Sequence, residues 1–88
     1  MILKCLIINK KDNVAVLLEN GKEHDAIIVD GQEIELHNNV EFGHKVAIKD
    51  FDKKDNIYKY GEEIGYATKE IHKGEWVHVH NMDCRRGK

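Results

Sequence analysis

Hydrophobic residues in this chain alternate with polar ones over short stretches, and no window of about 11 residues carries a helical stripe. The dipeptides Asn20-Gly21 and Asp30-Gly31 are typical of two-residue hairpin turns. We therefore predict an all-β fold, a small barrel or sandwich of short twisted strands. Strands are expected at residues 2–8, 14–18, 26–29, 34–36, 45–49, 57–60, 64–68 and 76–80.

A spacing pattern occurs twice in the second half of the chain. An apolar residue, a glycine and two alternating apolar residues follow one another at 40–48 and again at 71–79, 31 residues later. Each copy is typical of an apolar anchor, a glycine turn and a strand with alternate residues inward. Two copies in so short a chain indicate internal pseudo-symmetry in one domain, because a solenoid needs at least about three repeats.

Charge and length exclude several functions. Lysine and arginine number 14 against 16 acidic residues, so we expect no nucleic acid as the main partner. No apolar run reaches the roughly 20 residues of a membrane span, and the first residues lack a signal-peptide cleavage site. These features favour the cytoplasm, where Cys5 and Cys84 are expected to be free thiols.

The sequence His78-Val79-His80 is a candidate metal or ligand site. In a strand, residues two apart point to the same face, so both imidazoles would converge on one ligand, with Asn81 just beyond. Zinc and iron sites use such pairs but need further ligands from elsewhere. The alternative is that both histidines lie on the solvent-exposed face of an edge strand.

The pair His44-Lys45 follows Gly43 at the start of a predicted strand. A glycine there permits a tight turn that brings the next side chain to the rim. The pair would offer a proton and a positive charge to an anionic substrate, although successive strand residues ordinarily face opposite ways. The alternative is a solvated turn histidine, and Trp76 is expected in the core.

Four stretches together resemble the SAF-type N-terminal domain of the altronate/galactarate dehydratase family. They are residues 12–16, 43–48, 59–68 and 74–81, in family order. The resemblance implies a compact β-clip fold, also seen in antifreeze-like domains. It implies a single domain over residues 1–81, with 82–88 as a basic tail or linker stub.

The resemblance also implies a function. The family removes water from sugar acids with a divalent metal, typically iron, and the related sulfolactate sulfo-lyase pairs a small chain with a large one. The chain would then be a small subunit or N-terminal domain that assists substrate binding or site closure on a larger catalytic subunit. It would be inactive alone. His44, Lys45, His78, His80 and Asn81 match the family pattern, which implies a substrate-side role without assigning acid, base or ligand.

Two other functions remain open. In the first, the chain is a stand-alone module that binds a carbohydrate or carboxylate through His44, Lys45, His78 and His80. In the second, it is a docking subunit without a role in chemistry. Because all-β domains with exposed strand edges often pair, two copies are expected to associate where no partner is present.

Overall fold

The computed structural model describes residues 1–84 and confirms the all-β prediction. Within that range it contains strands, turns and bridges but no helix, and so no helix that could cross a membrane. The strands are β1 (Cys5–Leu6), β2 (Val14–Leu17), β3 (Ala26–Val29), β4 (Gln32–Glu35), β5 (Lys45–Ala47), β6 (Asn56–Lys59), β7 (Glu62–Ala67), β8 (Trp76–Val77) and β9 (Met82–Asp83).

The strands form three small antiparallel groups. A central sheet has the order β1-β2-β5-β8, β3 pairs with β4, and β7 lies between β6 and β9. The β3–β4 hairpin turns at Asp30-Gly31, as predicted, and both residues have positive φ angles of 51° and 78°. The Asn20-Gly21 prediction was wrong. Gly21 instead forms an isolated bridge with Val40, and an added Cβ would meet core leucine side chains.

The spacing pattern seen in the sequence corresponds to a structural duplication. Residues 21–46 and residues 51–77 have the same arrangement. Each segment begins at one residue of an isolated bridge and continues through a hairpin to the other residue of that bridge. It then ends in a strand of the central sheet. The backbone repeats the same unusual angles 30 or 31 residues later. The paired positive-φ positions are His24 and Lys54, Asp30 and Tyr60, Gly31 and Gly61, and Gly43 and Gly74.

Each half has its own hydrophobic core, and the central strands contribute to both. In β2, Ala15 and Leu17 pack in the first core and Val14 in the second, while β5 sends Val46 to the first and Ala47 to the second. Strands buried on both faces are uniformly apolar, which explains why β2 lacks alternation. The first core also holds Leu3, Ile27, Ile34, Leu36 and Val40, and the second Phe51, Ile57, Ala67, Ile71 and Val77.

The buried carboxylate of Asp12 links the N-terminal segment to the second half of the structure by hydrogen bonds. Asp12 accepts hydrogen bonds from the backbone N–H groups of Ile8 (3.2 Å), Asn9 (3.1 Å) and Gly61 (2.7 Å). Burial raises the pKa of Asp12, but these backbone hydrogen bonds outweigh burial, so the pKa lies below its ordinary value. The contact joins the start of the chain to the β6–β7 turn.

The ordered sheet continues beyond the predicted domain end at residue 81. Met82 and Asp83 form β9 against Ala67 and Tyr66 of β7. Gly65 permits this approach, because an added Cβ would collide with the Asp83 carbonyl oxygen. The tail predicted at 82–88 is therefore in part a strand, and residues 85–88 lie outside the described residues.

Candidate functional site

The two predicted site motifs meet at one end of the central sheet. Strands β5 and β8 run antiparallel, with Lys45 opposite Val77. Continuing this register by one residue places His44 opposite His78, and their ring centroids are 5.3 Å apart. Gly43, with φ of 85°, makes the turn that leads into His44, as the sequence indicated.

Trp76 lies at the centre of an aromatic cluster with His44, His78 and His80. Its indole stacks on His78 at 5.2 Å and 11° and also contacts His44 at 5.7 Å and His80 at 4.9 Å. The side chain is half-buried and packs against the first core, so it lies at the edge of the core in which it was expected. The signal for its role was present, because Trp76, His78 and His80 alternate and would share one face of a strand.

The segment after β8 is a turn and not the predicted continuation of the strand to residue 80. Asn81 holds this turn: its Oδ1 accepts from the His78 N–H at 3.0 Å, and its Nδ2 donates to the Trp76 carbonyl at 2.9 Å. The side chain is 2% exposed. Asn81 therefore shapes the site through the backbone, and its expected substrate-side role stays a prediction.

Lys45 brings a half-buried positive charge into the cluster. Burial lowers the pKa of its ammonium group, and the charge of Lys59 lowers it further. Among residues 1–84, no ion pair joins Lys45 to a carboxylate. A cation held partly away from water without a counter-charge favours binding of an anion.

Lys45 lines an open cleft of about 420 Å³ beside the imidazoles. Thr68, His78, Met82 and Asp83 line the same cleft, so it combines a cation, a hydroxyl group and a carboxylate. Burial, followed by the nearby Lys45, His44 and His80, lowers the pKa of His78 and favours the neutral imidazole. A second cleft of about 470 Å³, between β1 and β3, contains none of the predicted site residues.

Comparison with known families identifies the domain. Residues 3–85 match the family model described as the altronate/galactarate dehydratase SAF domain. The chain belongs to this SAF domain family. The match covers nearly all of the chain and confirms the resemblance found in the sequence motifs.

This chain matches only part of each of the following relatives. The chain is 45% identical over 74 residues to altronate dehydratase of Escherichia coli and 38% identical over 74 residues to that of Bacillus subtilis. Each alignment covers 84% of this chain and 15% of the relative. The chain is also 37% identical over 54 residues to (2R)-sulfolactate sulfo-lyase subunit alpha of Chromohalobacter salexigens, covering 61% of this chain and 57% of that subunit.

The donor side chains of residues 1–84 do not complete a metal site. Among the described residues, no three histidine, cysteine, aspartate or glutamate side chains are grouped closely enough to hold a metal ion. His78 and His80 both lie against the Trp76 ring, and the Lys45 charge acts on His78. The assignment of His78 and His80 as metal ligands stays a prediction that needs donors from another part of the protein or from a partner.

Proposed function

We propose that this SAF domain is a cytoplasmic accessory subunit or domain of a sugar-acid lyase and binds the substrate carboxylate at the cleft lined by Lys45 and His78, next to His44. In this role it assists substrate binding or closes the site on a larger catalytic body, which supplies the elimination chemistry. The proposal rests above all on Lys45, a half-buried ammonium group without a carboxylate partner in residues 1–84.

The cleft offers the chemistry that a polyhydroxy acid requires. The Lys45 ammonium suits a carboxylate, while Thr68 and Asp83 offer hydrogen-bonding partners for hydroxyl groups. Val79 and Met82 line the same cleft and add an apolar wall. This combination favours a small hydroxylated anion over a neutral sugar.

A larger partner is supported by the size of the relatives and by the openness of the site. The chain spans only 15% of the altronate dehydratases it matches, and the sulfo-lyase relative is named as a subunit. An open cleft does not exclude water, whereas elimination beside a carboxylate needs an enclosed site and a group that stabilises the developing enolate. We therefore expect no turnover from this chain alone.

In this proposal, the larger catalytic subunit or domain binds the divalent metal, which we expect to be iron. When bound, it would supply the positive charge that stabilises an enolate oxygen. The chain's own residues hold the carboxylate end of the substrate and cover the reacting end. Purified chain equilibrated with Fe²⁺ should retain less than stoichiometric metal after desalting. Tight stoichiometric binding of Fe²⁺ that is abolished by His78→Ala would contradict the assignment of the metal to the larger subunit.

The binding step can be tested on the isolated chain by NMR titration with galactarate and altronate. We expect millimolar to micromolar affinity, with amide shifts centred on His44, Lys45 and His78. The variant Lys45→Met should remove these shifts, and Lys22→Met, at an exposed lysine, should preserve them. The neutral polyol galactitol should give none. Shifts that are absent, or unchanged in Lys45→Met, would refute the assigned site.

The role in a complex requires the larger chain. Pull-down from the native lysate should recover a large sugar-acid dehydratase-like or sulfo-lyase-like protein, and its activity should fall when Lys45→Met replaces the wild-type chain. If the chain elutes alone but binds galactarate, it is a free binding module. If the complex forms and tolerates His44→Ala and His78→Ala, the chain acts only as a docking subunit.

A further inference from the structure

The contact between Trp76 and His44 restricts the protonation state of the imidazole. The Trp76 indole Nε1–H donates to His44 Nδ1 at 3.2 Å. An indole nitrogen is a donor only, whereas each nitrogen of a neutral imidazole either donates or accepts, depending on the tautomer. His44 Nδ1 must therefore carry the lone pair, and the ring proton must be on Nε2.

We propose that Trp76 is a positioning residue that holds His44 as the Nε2–H tautomer, so that His44 offers a hydrogen-bond donor to the bound anion. The alternative tautomer would place two N–H groups against each other at the indole contact. His44 Nε2 is 4.0 Å from Oε1 of Glu41, whose side chain is 85% exposed. A carboxylate already lies on the Nε2 side of the ring, which agrees with a proton on Nε2.

The position of the Trp76 side chain is fixed by hydrogen bonds to its backbone and by stacking on one face of its ring. Its backbone N–H donates to Asn38 Oδ1 at 3.0 Å, and its carbonyl accepts from Asn81 Nδ2 at 2.9 Å. Its ring is stacked on His78. These contacts fix the indole from the backbone and from one face, so its N–H keeps a constant direction towards His44. The buried Asn81 thereby acts on His44 through Trp76.

The tautomer narrows the role of His44. With a proton on Nε2 and the indole N–H at Nδ1, neutral His44 presents no free lone pair and cannot accept a proton from a substrate. It is a donor that binds an acceptor oxygen. This role in ligand binding rests on the proposed function, whereas the tautomer itself is a property of the free chain.

The first experiment uses the wild-type chain without ligand. Long-range ¹H–¹⁵N correlation at about pH 8.5, well above the ordinary imidazole pKa of about 6.5, reports which ring nitrogen carries the proton. We expect His44 Nε2 in the protonated range and Nδ1 in the unprotonated range. A scalar coupling between the indole and imidazole nitrogens should appear across the hydrogen bond. An Nδ1–H tautomer would overturn the proposal, whatever the variants do.

The second experiment uses Trp76→Phe, which keeps an aromatic ring against the imidazoles but removes the N–H. His44 should then populate both tautomers, while the tautomers of His78 and His80 in the same spectrum stay as in wild type. Galactarate affinity should fall roughly 2- to 10-fold, the contribution of one neutral hydrogen bond. An unchanged His44 tautomer in a folded variant would refute the positioning role.

The two proposals fail in different ways. If the wild-type chain binds no galactarate but His44 is the Nε2–H tautomer, the proposed function fails and the positioning by Trp76 stands. If galactarate binds at Lys45 but His44 is the Nδ1–H tautomer, the positioning role fails and the carboxylate site stands. Both measurements are made on the same labelled protein.

Discussion

The Asp12 carboxylate links the N-terminal segment to the second half of the fold, and Asp12→Asn tests how much this contact stabilises the protein. One oxygen accepts from Ile8 and Asn9, and the other accepts from Gly61 across the structure. The asparagine is nearly the same size, so packing is conserved. However, its NH₂ group must face at least one of these backbone N–H donors, which leaves that donor unsatisfied.

The expected cost follows from these contacts. Hydrogen bonds to a charged group contribute roughly 1.5–3 kcal/mol each, neutral ones about 0.5–1.5 kcal/mol, and a buried unsatisfied donor costs about 1–3 kcal/mol. Because Asp12 is only 8% exposed, little water can replace the lost contact. We expect Asp12→Asn to lower the free energy of unfolding by about 2–4 kcal/mol. That is a large fraction of the roughly 4–13 kcal/mol typical of a domain this size.

The effect should depend on pH in a defined direction. The pKa of Asp12 is lower in the folded chain than its ordinary value of 3.8. Its stabilisation is therefore fully present above pH 3.8 and is lost as the pH falls through the folded-state pKa. Asparagine does not titrate, so the difference in stability between wild type and variant should narrow at low pH.

Urea unfolding followed by Trp76 fluorescence at neutral pH and near pH 3 measures both quantities. The matched control is Asp55→Asn, whose carboxylate accepts a single turn hydrogen bond from the Asp52 N–H at 2.8 Å. The control should lose no more than about 1 kcal/mol. A neutral-pH loss below about 1 kcal/mol for Asp12→Asn, or a loss that persists unchanged at low pH, would refute the reasoning.

Three further changes test the duplicated backbone and the site. Gly74→Ala should cost several times more than Gly43→Ala in thermal unfolding, because both have positive φ but only at Gly74 would a Cβ collide, with the Glu35 carbonyl oxygen. We expect about 1–2 kcal/mol at Gly43, and equal losses would contradict the packing. Lys45→Met should raise the urea midpoint of unfolding while abolishing galactarate binding, since it removes a half-buried charge without a carboxylate partner in residues 1–84; a destabilised variant would argue against this. Tyr60→Asn should stabilise the β6–β7 hairpin by about 0.5–1 kcal/mol, because asparagine tolerates φ of 57° better than tyrosine, and a lower melting temperature would count against it.

Local sequence chemistry predicted those parts of the fold that depend on neighbouring residues. The Asp30-Gly31 hairpin formed because both positions require positive φ, which these residues tolerate. The same rule failed at Asn20-Gly21, where Gly21 is required by tertiary packing against Leu3 and Leu36. Strand β9 was missed because its pairing with β7 depends on the space above Gly65, which no local pattern reveals.

The site was only half predictable for a similar reason. Gly43-His44-Lys45 and His78-Val79-His80 could each be recognised as motifs, but their meeting depends on the register of β5 against β8. Trp76 was expected in the core because it lies next to Val77 and near the apolar Ile71, and it is half-buried against the first core. The turn at 78–81, which replaces the predicted strand, depends on the hydrogen bonds of Asn81 to the backbone.

The duplication relates the His44–His78 pair to a buried pair in the other half of the structure. In the first half, the pair equivalent to His44 and His78 is Val14 opposite Ala47, and both are buried in the second core because the second repeat covers them. At the β5–β8 pair, the equivalent position carries two imidazoles in place of valine and alanine. Polar side chains at a position whose counterpart is buried and apolar agree with the proposed function, in which a ligand and a larger partner contact this end of the sheet.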